Sequence, residues 1–358
     1  MSGATVVEQA VEQAAREPVA WFADRVAHDL VDLVRCGSSD GAPAVLDHVE
    51  RSGGWWALVA DYEGAVVAAR FADASRTEPA AGGPWPGLDA SGWSSSLSEA
   101  QYVEACREVR SRIARGEVYQ VNVCRVLEQD LPEDADVVAL ARLLRGRHPA
   151  PYAGAVVLPG VVEVVCASPE LFLSRRGDLV TTGPIKGTAV TSERLLPKDV
   201  DENVMIVDLA RNDLSIACSP GTVEVSDLLA VEQHPGLVHL VSRVRGRLRP
   251  DVGWGGLWSA MTPPASVTGA PKSSALRAIT DLEPVARGPY CGAVGWIDVD
   301  AGTAELAVGI RTFWTARRDG RRVLRFGAGA GITWGSDPHA EWAETELKAS
   351  RLLAVAAG

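Results

Sequence analysis

One lysine stands out in a chain that strongly prefers arginine. Only four of the 35 basic residues are lysines, at positions 186, 198, 272 and 348. Lys186 lies between Pro184 and Gly187, just after an apolar run. Arginine cannot give up its proton, whereas a buried lysine can act as a neutral nucleophile or base. The peptide therefore fits either a reactive lysine or an ordinary exposed lysine at the end of a strand.

Two pairs of acidic residues have helical spacing. Asp199 and Glu202 lie three residues apart near the start of one expected helix, as do Glu341 and Glu344 in another. Residues with this spacing share a helix face. Two such faces brought together would form an all-oxygen site suited to Mg²⁺. The alternative is that the acids only complement the positive ends of their helix dipoles.

Four further features could bind an anion or simply serve the structure. Residues 327–332 form a Gly-rich turn at a strand, which suits either close approach to an anion or a tight bend. Residues 266–272 precede a helix and fit either a carboxylate site or ordinary capping. Arg311 lies on an otherwise apolar strand, where a charge requires a partner. His239, on an apolar helix face, is typical of a core histidine.

Composition limits the classes of partner. The formal net charge is −11, which argues against a nucleic-acid surface and against binding to anionic membranes. The sequence shows no 18-residue apolar run, no apolar signal segment and no CxxC pair among its six cysteines. We therefore expect a cytoplasmic protein without a zinc site or a disulfide framework.

The elements that position these residues come as runs of strands between helices. Strands are expected within 53–60, 65–71, 152–182, 291–299, 304–313 and 322–332. Helices are expected from a capping box at Ser96 and Glu99, and at 137–147, 198–214, 234–244, 271–282 and 338–355. This order predicts an α+β fold with antiparallel sheets.

Ten stretches, taken together and in order, resemble the chorismate-utilising enzymes: the component I subunits of anthranilate and aminodeoxychorismate synthases, and the isochorismate and salicylate synthases. They lie at residues 119–122, 168–170, 184–188, 202–213, 239–242, 267–272, 290–295, 310–312, 328–332 and 341–344. The resemblance implies a four-layer α/β/β/α sandwich whose two antiparallel sheets enclose the active site. Residues 96–358 would form the chorismate-binding catalytic region, and residues 1–95 a shortened N-terminal part of the same sandwich.

The resemblance also implies roles for individual residues. Lys186 matches a catalytic lysine, and Glu170 matches the general acid near the ring. Glu202 and Glu344 match ligands of Mg²⁺, with Asp199 and Glu341 as outer, water-bridged carboxylates. The residues that match substrate-binding groups are His239, Thr268, Gly269, Tyr290, Arg311, Gly329, Gly331 and Lys348, of which Thr268 and His239 lie beside the ring.

Two positions indicate the branch of the family. Isochorismate and salicylate synthases use a lysine base to activate water at the position of Gln120, and glutamine cannot take that proton. Anthranilate synthases resemble Pro-Ile-Ala-Gly-Thr at 184–188, whereas aminodeoxychorismate synthases resemble the Pro-Ile-Lys-Gly-Thr found here. In the latter, the lysine amine adds to ring C2 as the C4 hydroxyl departs, and ammonia then attacks C4 and expels the lysine.

The expectation is a Mg²⁺-dependent aminodeoxychorismate synthase component I that makes 4-amino-4-deoxychorismate for p-aminobenzoate and folate or a related specialised pathway. A separate glutamine amidotransferase would supply ammonia, because no cysteine lies in a Gly-x-Cys-x-Gly setting. The alternatives are an anthranilate or 2-amino-2-deoxyisochorismate synthase component I, and an inactive chorismate-binding subunit. Pro263 and Pro264 stand near positions where the family commonly has glycine, so this wall of the pocket is expected to differ.

Overall fold

The computed structural model describes residues 17–23, 25–75, 83–189, 191, 197–234 and 237–358. The first 16 residues, the start of the Pro- and Gly-rich connection and most of the polar stretch before residue 197 lie outside the described residues. Within the described part the helices are α1 (Ala42–Ser52), α2 (Glu99–Ala114), α3 (Val137–Arg147), α4 (Pro197–Ala217), α5 (Trp254–Met261), α6 (Lys272–Leu282) and α7 (Pro338–Ala357).

The strands of the described residues number 18. They are β1 (Val19–Phe22), β2 (Arg25–Cys36), β3 (Trp55–Ala60), β4 (Val66–Ser75), β5 (Ser94–Ser95), β6 (Gln120–Asp130), β7 (Tyr152–Leu158), β8 (Val162–Ser168), β9 (Leu171–Arg176), β10 (Leu179–Gly183), β11 (Ile185–Ala189), β12 (Glu224–His234), β13 (Leu237–Arg247), β14 (Gly269–Ala270), β15 (Ala293–Asp298), β16 (Thr303–Val308), β17 (Thr312–Arg318) and β18 (Arg321–Ile332).

Antiparallel pairings join these strands into one hydrogen-bonded ribbon. Its order is β12, β13, β10, β9, β16, β15, β3, β4, β2, β1, β7, β8, β17, β18 and β6, with β11 also on β13 and with β5 and β14 also on β6. Strand β2 joins the two halves, because it pairs with β4 along most of its length and with β1 at its start.

Helices cover the outer faces of the two halves. Helix α5 packs against both α1 and α4, and these two helices lie on strands of the half that contains β13. Helices α3 and α7 pack on β8 and β18 of the other half. The larger core mixes apolar residues of both halves, as where Phe22 of β1 meets Trp55 of β3 with ring centroids 6.3 Å apart. The α+β sandwich predicted from the sequence is therefore confirmed, with its two sheets continuous through β2.

The division of the chain at residue 95 stays a prediction. Strands on either side of that residue are hydrogen-bonded to one another, since β1 pairs with β7 and β3 pairs with β15. The two parts thus share one sheet ribbon and one core.

Four local predictions are wrong, and the one for Arg311 is described with the candidate site. Residues 234–244 were expected to be helical, but 237–247 form β13, a strand so buried that its apolar run lacks the alternation typical of strands. The capping box lies at Ser98 and Gln101, because the Ser96 hydroxyl instead accepts a hydrogen bond from the Val126 backbone N–H over 2.9 Å. The Gly-rich residues 327–332 are not a turn but part of β18.

Two negative expectations concern membranes and disulfides. Among the described helices, none combines the length and the apolar character that a membrane crossing demands. All six cysteines are free thiols in this structure.

Candidate active site

Lys186 and Glu170 both interact with one residue, Ser266. Lys186 lies on β11, and its Nζ donates a hydrogen bond to the Ser266 carbonyl oxygen over 3.1 Å. Glu170 lies between β8 and β9, and its carboxyl group interacts with the Ser266 hydroxyl and with the backbone N–H of Ile185. The expected nucleophile and the expected acid therefore face the same short turn of chain.

Glu170 has the electrostatics of a proton donor. Its side chain is buried, and burial raises its pKa from 4.5 to about 7. The Ser266 hydroxyl, the positive charge of Lys186 and the Ile185 N–H each oppose that rise without cancelling it. A carboxyl group that titrates near neutrality can hold a proton and deliver it to a leaving group.

Ser266 sits on a 3-10 turn, Ala265–Val267, which leads directly into β14. Strand β14 pairs with the start of β6, where Gly269 faces Val121 and Ala270 faces Gln120. Gly269 has a φ of 134°, and a methyl group there would overlap the Gln120 carbonyl oxygen. Only glycine fits this position, so its role is to bring the turn close to β6.

Strands β6 and β18 form one wall of the site. Gln120, Asn122 and Cys124 occupy every second position of β6, so their side chains lie on the same face. They lie beside Gly331 and Gly329 of β18. A methyl group at Gly331 would overlap the Gln120 amide, and one at Gly329 would lie 2.6 Å from Cys124 Sγ. The glycines are therefore required because side chains of β6 lie across them.

The same wall contains two buried hydrogen-bond acceptors. Gln120 Oε1 and Asn122 Oδ1 are buried without a hydrogen-bond partner within the described ranges. An unpaired buried acceptor is costly, so a ligand that donates hydrogen bonds would be favoured here.

Lys348 and Tyr290 border this wall. Lys348 on α7 donates from Nζ to the Gly329 carbonyl oxygen over 3.0 Å and pairs with Glu344 over 2.6 Å. The Tyr290 ring lies over Gly327, where any side chain would overlap it. Burial raises the pKa of Tyr290 well above its ordinary value, so its phenol remains a hydrogen-bond donor.

His239 lies on β13 rather than on the helix expected from its apolar surroundings. It is buried, opposite Thr188 of β11 and Glu232 of β12, and thus close in register to Lys186. Helix α4 is fixed to the same strand by Asn203, whose Nδ2 donates to the Leu240 carbonyl over 3.0 Å and whose Oδ1 accepts from the Ser242 hydroxyl over 2.5 Å.

The four acidic residues lie near the starts of α4 and α7, on the helices that their spacing predicted. Glu341 is buried and the others are partly exposed. In the part of the chain that the structure describes, no three His, Cys, Asp or Glu side chains are close enough to hold one metal ion. Carboxylates suit Mg²⁺, which often uses only one or two of them together with waters. In this conformation the described residues do not bring three or four of these carboxylates together as direct ligands.

Arg311 is not part of a strand. Strand β16 ends at Val308 and β17 begins at Thr312, and Arg311 itself has a φ of 52°, which is rare for a large residue. Burial and the charge of Arg351 lower the pKa of Arg311. Burial, and then the charges of Arg311 and Arg351, lower the pKa of His148. These three basic groups lie together, an arrangement that favours an anion.

A partly buried ion pair was not predicted from the sequence. Lys272 Nζ lies 2.8 Å from Asp213 Oδ2, and Asp213 lines the same small cavity as Glu170 and Ser266. The scarcity of lysine and the stretch 266–272 marked Lys272, but neither indicated an ion pair. Nothing in its spacing indicated Asp213 as the partner, because the two lie on different helices, 59 residues apart.

The pocket is closed in this conformation. Glu170 is 4% exposed, His239 1% and Thr268 0%. Binding of a substrate at these three groups therefore requires the surrounding segments to move apart.

A family model described as chorismate binding enzyme matches residues 63–354. The chain belongs to the chorismate binding enzyme family. The match begins ahead of residue 96, where the resemblance in motifs starts.

Named relatives in the family include three kinds of synthase. The chain is 38% identical to anthranilate synthase component 1 of Streptomyces coelicolor, over 73% of this chain and 52% of the relative. It is 37% identical to 2-amino-4-deoxychorismate synthase of Streptomyces globisporus, over 74% and 56% respectively. It is 35% identical to aminodeoxychorismate synthase component 1 of Klebsiella aerogenes, over 74% and 59%. The chain thus spans between about half and three-fifths of the length of these relatives, and the identities do not separate the branches.

A solved structure gives the same fold. Anthranilate synthase component I from Streptococcus pneumoniae matches with a TM-score of 0.76 at 21% identity, over 99% of this chain and 95% of that one. The likeness extends through both halves of the ribbon, which confirms the fold class.

Proposed function

We propose that this protein is an aminodeoxychorismate synthase component I, which replaces the C4 hydroxyl of chorismate with an amino group. The observation that carries the proposal is the meeting of Lys186 and Glu170 at Ser266. A nucleophile and a proton donor at one place match the two demands of this substitution, because hydroxide leaves poorly without a proton.

The first step forms a bond from Lys186 Nζ to ring C2. The ring electrons shift, the C4–O bond breaks, and the hydroxyl leaves as water with the proton of Glu170. Lys186 must be neutral to attack, and its hydrogen bond to the Ser266 carbonyl directs one N–H away from the ring. Glu170 is then left as a carboxylate.

The second step restores both residues. Ammonia attacks C4, the C2–N bond to Lys186 breaks, and Lys186 departs as a neutral amine. Glu170 takes the surplus proton from the new ammonium group. Over both steps one ammonia is consumed and one water is released, so Lys186 and Glu170 return to their starting protonation states.

The substrate carboxylates would be held by positive and hydrogen-bonding groups. Arg311, Lys348 and the Tyr290 phenol supply them, with the backbone of Gly329 and Gly331 beside them. Two carboxylates on one small ring need such cationic partners when they are removed from water.

Mg²⁺ is the proposed cofactor. Glu202 and Glu344 would hold it directly, and Asp199 and Glu341 would act through bound water. When bound, the ion would neutralise a substrate carboxylate and draw electron density from the ring. Release of Glu344 from its pair with Lys348 would accompany metal binding.

Ammonia would come from a separate glutamine amidotransferase. Relatives of this chain carry the name component 1, which supports a second component. Free ammonium salt should replace that partner in the test tube, since neutral ammonia is the nucleophile.

A second candidate is amination at C2, as in anthranilate or 2-amino-2-deoxyisochorismate synthases. The two relatives of higher identity named above favour it. Those reactions place ammonia itself at C2, where this proposal places Lys186.

Product analysis separates the candidates. The protein, chorismate, Mg²⁺ and an ammonium salt should yield 4-amino-4-deoxychorismate by mass spectrometry, and anthranilate or a 2-amino product would refute the assignment. Without ammonia, part of the protein should gain the mass of chorismate minus water on the peptide that contains Lys186.

Two variants of Lys186 form matched controls for that experiment. Lys186→Ala should lose both the adduct and the 4-amino product. Lys186→Arg keeps the positive charge but cannot act as a neutral nucleophile, so it should fail equally. Near-normal 4-amination by either variant would show that Lys186 is not the nucleophile.

A further inference from the structure

The Thr268 hydroxyl has its single hydrogen committed. Thr268 Oγ1 lies 2.8 Å from the Pro264 carbonyl oxygen and 3.2 Å from Tyr62 Oη. A carbonyl can only accept, so Thr268 donates to Pro264 and Tyr62 must donate to Thr268. Through these two hydrogen bonds Tyr62 contacts Thr268, which in turn contacts Pro264 at the other end of the segment.

Arg287 holds the middle of the same segment. Its Nη1 donates to the Val267 carbonyl over 2.8 Å, and its Nη2 donates to the Asn122 carbonyl of β6 over 3.0 Å. The guanidinium lies 4.2 Å from the centre of the Tyr62 ring. The contacts of Tyr62 and Arg287 therefore fix the carbonyls and the hydroxyl that flank Ser266.

Arg287 is itself fixed by charge. It is 1% exposed and forms an ion pair with buried Glu283 over 2.6 Å, and Glu283 also accepts the backbone N–H of Cys124 on β6. Glu63, next to Tyr62, accepts the backbone N–H groups of Arg287 and Gly288 over 2.8 and 3.1 Å. The side chains of Arg287 and Glu283 are buried, and both are also hydrogen-bonded to backbone groups, so this pair is rigid.

We propose that Tyr62 is a positioning residue that acts through Thr268 on the turn that carries Ser266. Neither Tyr62 nor Arg287 approaches Lys186 or Glu170 in any contact described above. Both act on the backbone around Ser266, whose carbonyl and hydroxyl hold those two groups. The turn Ala265–Val267 is too short to fix its own position, so its placement depends on this network.

The expected kinetic effect falls on turnover more than on substrate affinity. The proposal rests on the proposed function, because it assigns the reacting groups to Lys186 and Glu170. The turn aligns those groups, while other residues bind the substrate carboxylates. Loss of alignment should therefore lower kcat with little change in KM.

Tyr62→Phe provides the test, because it removes the hydroxyl and keeps the ring beneath Arg287. A lost hydrogen bond of ordinary strength predicts about a 3- to 10-fold fall in kcat and less than about a 2-fold change in KM for chorismate. Thr268→Val should show a similar fall, and the double variant should show no further loss. Thr268→Ser retains the hydroxyl and its hydrogen bonds to Pro264 and Tyr62, so its turnover should be higher than that of Thr268→Val.

Tyr102→Phe is the matched control. Tyr102 is also buried, and its hydroxyl donates to a backbone carbonyl, that of Val123, over 3.0 Å. Its effect should multiply with that of Thr268→Val, because the two residues share no hydrogen bond. Circular dichroism and thermal midpoints measured on every variant separate loss of fold from loss of alignment.

Three results would overturn the proposal. The first is a turnover of Tyr62→Phe within about 2-fold of that of the parent protein, and the second is losses of kcat that multiply in the Tyr62→Phe, Thr268→Val double variant. The third is a fall in kcat from Thr268→Ser as large as that from Thr268→Val. The product formed in the same assay reports on the proposed function independently. A 2-amino product with intact coupling would refute the branch and retain the role of Tyr62, whereas no consumption of chorismate would refute both.

Discussion

Glu170→Gln should change how the stability of the protein depends on pH. Gln keeps the volume of the side chain and cannot ionise. In the parent protein burial raises the pKa of Glu170 from 4.5 to about 7, so the folded state holds this proton more tightly than the unfolded state. The stability contributed by protonated Glu170 is therefore complete below about pH 4.5 and is lost as the pH rises through about 7.

The size of the effect follows from the shift. A difference of about 2.5 pKa units corresponds to roughly 3 kcal/mol, at about 1.4 kcal/mol per unit. The isoelectric point of about 5.1 sets a practical lower limit for the measurement. As the pH rises from about 5.5 to about 8.5, the free energy of unfolding of the parent protein should fall by about 2 kcal/mol relative to that of Glu170→Gln.

Equilibrium unfolding in urea, followed by tryptophan fluorescence, measures this quantity. The difference between the two proteins at each pH isolates Glu170, because the other titrating groups are common to both. A difference that stays constant across the range would show that Glu170 is not held as a neutral acid. The reasoning about its role as proton donor would then fail as well.

Three other predictions concern the metal site, water as a nucleophile and the ion pair between Arg287 and Glu283. Glu202→Gln and Glu344→Gln should each abolish Mg²⁺-dependent turnover while far-UV circular dichroism is unchanged, and full activity at sub-millimolar Mg²⁺ would contradict the metal assignment. Because Gln120 cannot act as a base, the protein should form no isochorismate when ammonia is absent, as measured by chromatography. Isochorismate formed as fast as the amino product forms when ammonia is present would exclude the proposed branch. Arg287→Met should lower the free energy of unfolding by about 3–5 kcal/mol in urea titrations, because it leaves the buried charge of Glu283 unpaired; a loss below about 1 kcal/mol would contradict the importance of this pair.

Local rules predicted the amphipathic helices and the fold class well. Helices α3 and α7 and strands β3 and β15 lie close to their expected bounds, because each has one clear apolar face or a clear pair of turn residues. The rules failed where burial removed the pattern. Residues 238–242 of β13 are buried on both faces, so this part of its sequence lacks the alternation typical of a strand.

The candidate site was predictable in its residue types and less so in its connections. The rarity of lysine and the spacing of the acids marked Lys186, Glu202 and Glu344, although their roles stay predictions. Ser266 as the shared partner of Lys186 and Glu170 could not be foreseen, because it comes from a turn 80 residues further along. Tyr62 was missed for the same reason, since its partner Thr268 is 206 residues away.

The glycines of β18 that lie opposite β6 allow the side chain at position 120 to be replaced without a change in the strands. Ten consecutive pairings hold β6 against β18, from Val323 opposite Asp130 to Ile332 opposite Val121, and none depends on the side chain at position 120. Because Gly331 leaves room for that side chain, another residue can lie in the same place while the backbone stays fixed. We expect Gln120→Lys to admit water as a nucleophile without any change in the strand pairing, and a gene library confined to this codon would test whether one substitution changes the product.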